Sequence, residues 1–323
     1  MQFRNTFLLL GLMFVCLTSL AAKTKYELIV AQDGSGQYTS IQEAINDTKS
    51  FPDAPITIKI KKGVYREKVC VYAWNNKLTL IGEDPSNTII TYGDYFESIN
   101  LGRNSTFHTY TLKIESNDVT IENISIINSA GRVGQAVALH LEGDRCQIKN
   151  CRLLGNQDTL YADGEGSRQY FNQCYIEGTT DFIFGQATAI FDDCELHSKS
   201  DSYITAASSL ENQTYGFVFR RCKLTAQSGI TNCSLGRPWR DYAKVVYLDC
   251  EMGAHIKAEG WSNWGKTDRY QTAYYAEYQS SGEGADANDR INWSHQLSKK
   301  EAKKYTIENI FNKLKHDTWN PTK

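Results

Sequence analysis

Short alternations of apolar and polar residues recur down the chain, and one phrase is written repeatedly. It reads Glu122-Asn-Ile-Ser-Ile, Lys149-Asn-Cys-Arg-Leu, Asn172-Gln-Cys-Tyr-Ile, Asp192-Asp-Cys-Glu-Leu, Arg220-Arg-Cys-Lys-Leu and Leu248-Asp-Cys-Glu-Met. The shared centre falls at Ile124, Cys151, Cys174, Cys194, Cys222 and Cys250, at intervals of 27, 23, 20, 28 and 28 residues. Each phrase places an apolar or sulfur side chain at the centre and another two positions later, the period of a strand with one buried face. Each interval has room for several short strands and their turns but holds no helical pattern, so it reads as one coil of a solenoid. The expected fold is all-β, a right-handed parallel β-helix whose equivalent side chains stack at ~4.8 Å.

A solenoid needs its ends closed against edge pairing. Ser40-Ile-Gln-Glu43 is a capping-box signature that predicts a short N-terminal capping helix through Ala44 and Ile45. Ser298-Lys-Lys-Glu301 repeats it before Tyr305, Ile307, Ile310, Phe311 and Leu314, which predicts a C-terminal helical tail. The polar stretch Gln279 to Asn288 reads as a loop and not as a linker.

The first residues change the domain count. Arg4, the apolar run Phe7 to Leu20 and the small residues Ser19, Ala21 and Ala22 have the form of a signal peptide spanning residues 1–22. That leaves residues 23–323 as a single domain of a secreted, extracellular protein. The run is shorter than the ~20 residues a membrane span needs, so no membrane association is expected after cleavage. With 35 basic and 37 acidic residues intermixed and a net charge of −2, nucleic acid is not an expected partner.

Nine cysteines include Cys16 in the leader. The others suit an oxidising compartment, and their spacing offers no zinc-binding pairs, so no metal is expected. Stacked coils lie within disulfide reach. Cys174 with Cys194 is the preferred disulfide; Cys222 with Cys250 could be a second bridge or part of a reduced apolar ladder. Sequons at Asn46, Asn104, Asn123, Asn212, Asn232 and Asn292 permit a glycoprotein.

Coil arithmetic also singles out two carboxylates. Asp158 lies in Gly155-Asn-Gln-Asp-Thr-Leu-Tyr161 and Asp181 in Gly178-Thr-Thr-Asp-Phe-Ile-Phe-Gly185, 23 residues and about one coil apart. Apolar surroundings raise a carboxyl pKa and a cation lowers it, so a pair in unequal settings can divide acid and nucleophile roles. Arg237 in Leu235-Gly-Arg-Pro-Trp239 is the candidate cation. On residue type alone, the favoured reading of each Asp is a turn residue bonding its own backbone.

At these residues the chain resembles the pectin methylesterases. Five blocks carry the resemblance in order: Gly63-Val-Tyr-Arg-Glu67, Gln135-Ala-Val-Ala-Leu139, Gly155 to Tyr161, Asp181-Phe-Ile-Phe-Gly185 and Leu235-Gly-Arg-Pro-Trp239. The opening Val30 to Ile45 is similar to the family's first strand and helix. One departure is His140, directly after the second block, where many members carry Arg. The resemblance implies a metal-free, cofactor-free esterase acting on methyl-esterified homogalacturonan, the pectin backbone, and working as a monomer. Carried over by position, Asp181 is the nucleophile, Asp158 the general acid and base, Gln135 and Gln157 the oxyanion donors, and Arg237 the residue that holds Asp181. Trp239, Phe184 and Trp261 are the expected sugar-contacting aromatics. The rival readings are a pectate lyase, which needs clustered carboxylates for calcium, a polygalacturonase, which needs acids set apart around a water, and a relative that only binds glycan.

Overall fold

The computed structural model describes residues 26–265, 267–312 and 317–323. The predicted leader and Leu314 lie outside them. The chain winds as a parallel β-helix with three sheets of eleven, eight and seven strands. One coil shows the plan. Strand Cys146–Lys149 belongs to the first sheet, Arg152–Leu154 to the second and Leu160–Ala162 to the third, after which the chain re-enters the first sheet at Arg168–Asn172.

The repeated phrase is not one strand, as its period suggests, but a corner between the first two sheets. The residue before each centre, namely Asn123, Asn150, Gln173, Asp193, Arg221 and Asp249, has φ between 47° and 57°. This single left-handed residue turns the chain sharply, a conformation that Asn and Asp accept more readily than other side chains. The turn aims the ladder residue inward, beside the backbone carbonyls of the bend. The thiols answer those carbonyls: Cys174 Sγ donates to Asn172 O at 3.4 Å and to Ile148 O at 3.3 Å, and Cys222 Sγ to Arg220 O at 3.5 Å and Phe191 O at 3.3 Å.

The predicted Cys174–Cys194 bridge is therefore corrected. All eight cysteines of the described chain are free and buried. In-register thiols point the same way toward carbonyls, whereas a disulfide needs its two Cβ atoms ~3.8 Å apart and a dihedral near 90°. Deeper in the core, Phe171, Phe191, Phe219 and Tyr247 pair by register and stack at centroid distances of 4.5 Å, which fixes coil alignment by ring packing.

Helix Ile41–Asn46 starts at Ser40, whose side chain accepts from Glu43 N. Glu67, from the first of the five blocks, accepts from Ser40 Oγ at 2.7 Å, Ile41 N at 2.9 Å and Gln42 N at 3.0 Å. Its role is to satisfy the helix amides. At the other end, helices Lys299–Ala302 and Ile307–Phe311 lie on the outward face of the first sheet, where Ile310 and Phe311 bury with Tyr170, Ile190, Val218 and Val246. Among the described residues the outward face of the third sheet carries no α-helix; Phe107, Tyr110, Trp239 and Trp264 pack on it and border the groove.

Candidate active site

Register places the chemistry. Leu160 pairs with Ile183, so Asp158 and Asp181, each two residues upstream, occupy equivalent points of adjacent coils. Both are left-handed, with φ of 64° and 51°. Asp158 N donates to Thr180 O at 3.1 Å and Asp181 N to Tyr203 O at 2.8 Å. The kink turns each carboxyl out of the coil while the following residue, Thr159 or Phe182, packs inward with no exposure. Non-glycine residues in this region are uncommon and cost of order 1 kcal/mol or more, which is tolerated where the surroundings fix the backbone.

Along the outward face of the third sheet, register aligns Lys113, His140, Tyr161, Phe184, Ala206 and Arg237. Ala206 stands between Phe184 and Arg237, and its small side chain leaves space for the guanidinium to reach back to Asp181. Arg237 Nε and Nη2 lie 2.9 and 2.6 Å from the two carboxylate oxygens, a bidentate fork. The guanidinium is held flat between Tyr203, 3.9 Å from its ring centre, and Trp264, 3.7 Å away.

Asp158 and Asp181 are 8% and 5% exposed, and burial pushes both carboxyls above the ordinary range. At Asp181 the hydrogen bonds and charge of Arg237 oppose that push. At Asp158, raised well above the usual value, the charge of Asp181 adds to burial and Arg237 offsets only part of it. The pair thus shares one site with unequal proton affinities: Asp158 is the group that keeps its proton and Asp181 the one that gives it up.

These residues line a cavity of about 340 Å³ with Gln135, Gln157, Phe184, Ala206, Trp239, Trp264, Arg103, Thr106 and Phe107. Gln135 and Gln157 meet in a parallel bridge, so their amide side chains leave the same point of neighbouring coils. Trp239 meets the Phe184 ring edge-on at 5.7 Å. A larger cleft of about 680 Å³ lies between the first sheet and the tail, lined by Arg221, Lys303 and Lys323 among others, and contains neither Asp158 nor Asp181. Among the described residues no group of three or more His, Cys, Asp or Glu is placed to hold a metal ion.

Trp261 is corrected. It is 1% exposed, its Nε1 donates to Glu277 Oε1 at 3.1 Å and its ring packs 4.6 Å from Tyr275, so it belongs to the core. Trp264, three residues on, reaches the cavity instead. Nothing in Trp261-Ser-Asn-Trp264 tells the two apart, because irregular chain has no side-chain period. Tyr203, Arg103, Thr106 and Phe107 were also missed. The last three come from the 3₁₀ segment Gly102–His108, which has neither period nor motif.

A family model described as Pectinesterase matches residues 27–313. Pectinesterase 31 of Arabidopsis thaliana is 38% identical over 84% of this chain and 88% of its own length. Other Arabidopsis relatives, whose names join pectinesterase to pectinesterase inhibitor, are covered over 54% and 53% of their length. Among solved structures, the pectin methylesterase from carrot superimposes with a TM-score of 0.82 at 31% identity, covering 88% of this chain and 92% of that one. A pectin methylesterase in complex with a hexasaccharide gives 0.79 at 28% identity, covering 93% and 99%. A family match across nearly the whole described chain, joined to a buried carboxylate pair braced by one arginine on a β-helix, places this chain in the pectinesterase family of carboxylic ester hydrolases.

Proposed function

We propose that the protein is a pectin methylesterase that hydrolyses the C6 methyl ester of galacturonate units in homogalacturonan, releasing methanol. The observation that carries this reading is the unequal pair Asp158 and Asp181 at equivalent points of adjacent coils, one of them forked by Arg237. Asp181 attacks the ester carbonyl carbon, and the amides of Gln135 and Gln157 take the developing oxyanion, a contribution of about 3 kcal/mol per donor. As the carbon–methoxy bond breaks, Asp158 gives its proton to the departing oxygen and methanol leaves. The remaining acyl group is bonded to Asp181. Asp158, now ionised, takes a proton from water; the hydroxide adds to the acyl carbon, the bond to Asp181 breaks, and both carboxyls return to their starting states.

Trp239, Phe184 and Trp264 give the cavity its apolar walls, suited to sugar rings. We read the coil as right-handed, as nearly all crossovers between parallel strands are, with helix Ile41–Asn46 closing its start and the C-terminal helices covering the outward face of the first sheet. Residues 23–323 form one secreted, monomeric domain, released by removal of the leader and open to glycosylation at its sequons. Among the described residues no helix is long and apolar enough to cross a membrane.

The test is methanol measured from highly methylated pectin alongside polymer length. The wild type should release methanol without shortening the chain, and Asp181→Asn and Asp158→Asn should each lose at least ~100-fold. New reducing ends or unsaturated products would favour the hydrolase or the lyase, and equal methanol release by Asp181→Asn would remove the nucleophile assignment.

A further inference from the structure

His140 lies on strand Leu139–Leu141, in the outward ladder that leads to the catalytic groove, and its side chain is only 2% exposed. Its Nδ1 is 3.2 Å from Phe107 O and its Nε2 2.7 Å from Glu142 Oε1. A backbone carbonyl can only accept, and so can an ionised carboxylate. Glu142 is held ionised: the hydrogen bond and charge of His140 and the charge of Lys113, 3.5 Å away, pull its pKa down. Both contacts are satisfied together only when both ring nitrogens carry protons. A neutral ring satisfies one and leaves the other nitrogen facing an oxygen lone pair in a buried site, which is costly.

The carbonyl at stake belongs to the groove wall. Arg103, Thr106 and Phe107 of segment Gly102–His108 line the catalytic cavity. The last carbonyls of this segment are met by two side chains, His140 on Phe107 O and Lys68 Nζ on His108 O at 2.6 Å, the position where a basic side chain is favoured at the C-terminal end of a helical turn. The Phe107 ring packs 5.1 Å from Tyr161, and Tyr161 stacks on Phe184 at 4.6 Å with His140 edge-on at 4.7 Å. Wall and floor therefore meet at His140. The titratable and charged groups around it are Glu142, Lys113 and Glu115 along its own face, Cys70 beyond Lys113, Tyr161 and Asp163 from the next coil, and His108, Lys68 and Tyr110 from the wall side.

We propose that His140 is a positioning residue whose imidazolium clamps the wall segment Gly102–His108 to the groove floor, so that loss of its second proton loosens the wall and weakens pectin binding on the alkaline side. This rests on the pectinesterase reading of the groove. The clamp touches neither Asp158 nor Asp181, so its release acts on KM, while the ionisation of the carboxylate pair acts on kcat.

The experiment follows kcat and KM for methanol release from highly methylated pectin as a function of pH. In the wild type KM rises about tenfold with pH, the scale of one charge-assisted hydrogen bond. His140→Arg, which always carries its charge and only donates, keeps KM low and flat. His140→Gln gives the high KM at every pH. Glu142→Gln removes the anion that stabilises the imidazolium and moves the rise to lower pH. A flat wild-type KM, or the same rise in His140→Arg, overturns the proposal. Nitrogen-15 NMR of the wild-type ring supplies a readout independent of variants and of substrate: both nitrogens are protonated where KM is low, and one proton is lost where KM rises. A ring singly protonated where KM is low also overturns it. If the wild type releases no methanol, the proposed function fails, and the NMR titration still decides the clamp.

Discussion

Arg237→Gln separates the charge that ionises the nucleophile from everything else in the groove. Asp181 receives two hydrogen bonds from Arg237, and the two side chains are 8% and 20% exposed respectively. At an effective dielectric of ~20, unit charges ~4 Å apart attract by about 4 kcal/mol. The partial exposure of Arg237 trims this to about 3 kcal/mol. Asp181 must be ionised to attack, and Arg237 is what lowers its carboxyl against burial, so the acidic limb of kcat/KM for methanol release moves to higher pH. At a pH below the new limb, protonation alone removes up to ~100-fold of the activity. Arg237 also lowers Asp158, so the alkaline limb moves the same way but less, since Arg237 makes no hydrogen bond to it. Arg237→Lys restores the charge without the fork; its acidic limb returns toward the wild-type position while kcat stays reduced through lost orientation. The assay is a pH profile of initial methanol release for the three proteins. An acidic limb that stays in place in Arg237→Gln, with activity merely scaled down, refutes the claim that Arg237 sets the ionisation of Asp181.

Four further outcomes follow from the same geometry. Asp158 retains its proton in the folded state to well above the 3.8 of an ordinary Asp; above pH ~4 the unfolded chain loses that proton first, so wild-type stability falls as pH rises toward the folded value. Asp158→Asn lacks this slope, and thermal melts should show its Tm advantage growing from pH ~4 upward; an advantage independent of pH would contradict the assigned direction. Ala206→Leu should fill the space through which Arg237 reaches Asp181 and abolish most methanol release with a circular-dichroism spectrum like the wild type. Trp261→Ala should cost about 3–5 kcal/mol in denaturant melts, whereas Trp264→Ala should lower activity with little loss of stability; the reverse pattern would return Trp261 to the groove. Excess dithiothreitol should leave the Tm unchanged, since the thiol ladder holds no bridge, and a clear drop would restore the Cys174–Cys194 disulfide.

The solenoid was legible because its coils are nearly repeated in the sequence, and the corner phrase marks one point of each coil. What the phrase does physically was not legible. Period-2 alternation is produced equally by a straight strand and by a strand that bends at a left-handed residue between two inward side chains. Arg221 takes this conformation with φ 52°, although nothing about arginine favours it; the stacked corners above and below impose it. The cysteines mislead for a related reason. Spacing shows that Cys174 and Cys194 stack, but the choice between bridge and ladder depends on which backbone carbonyls lie within reach of the sulfur, and that is set by the bend.

The active site divides along the same line. Asp158 and Asp181 could be placed together because both lie in repeating coils, and a residue count equal to one coil is a statement about space. Arg237 lies 56 residues beyond Asp181, and its approach depends on the smallness of Ala206, a property invisible until register puts Ala206 between Phe184 and Arg237. The wall segment Gly102–His108 interrupts the repeat altogether, so no period predicts what Arg103, Thr106 and Phe107 face. In this chain the coils hold the carboxylates in fixed register, and the segment that departs from the repeat shapes what reaches them. His140 is the point where the two meet, a residue of the regular ladder bonded to the irregular wall, which is why its protonation can alter binding while the coil beneath stays unchanged.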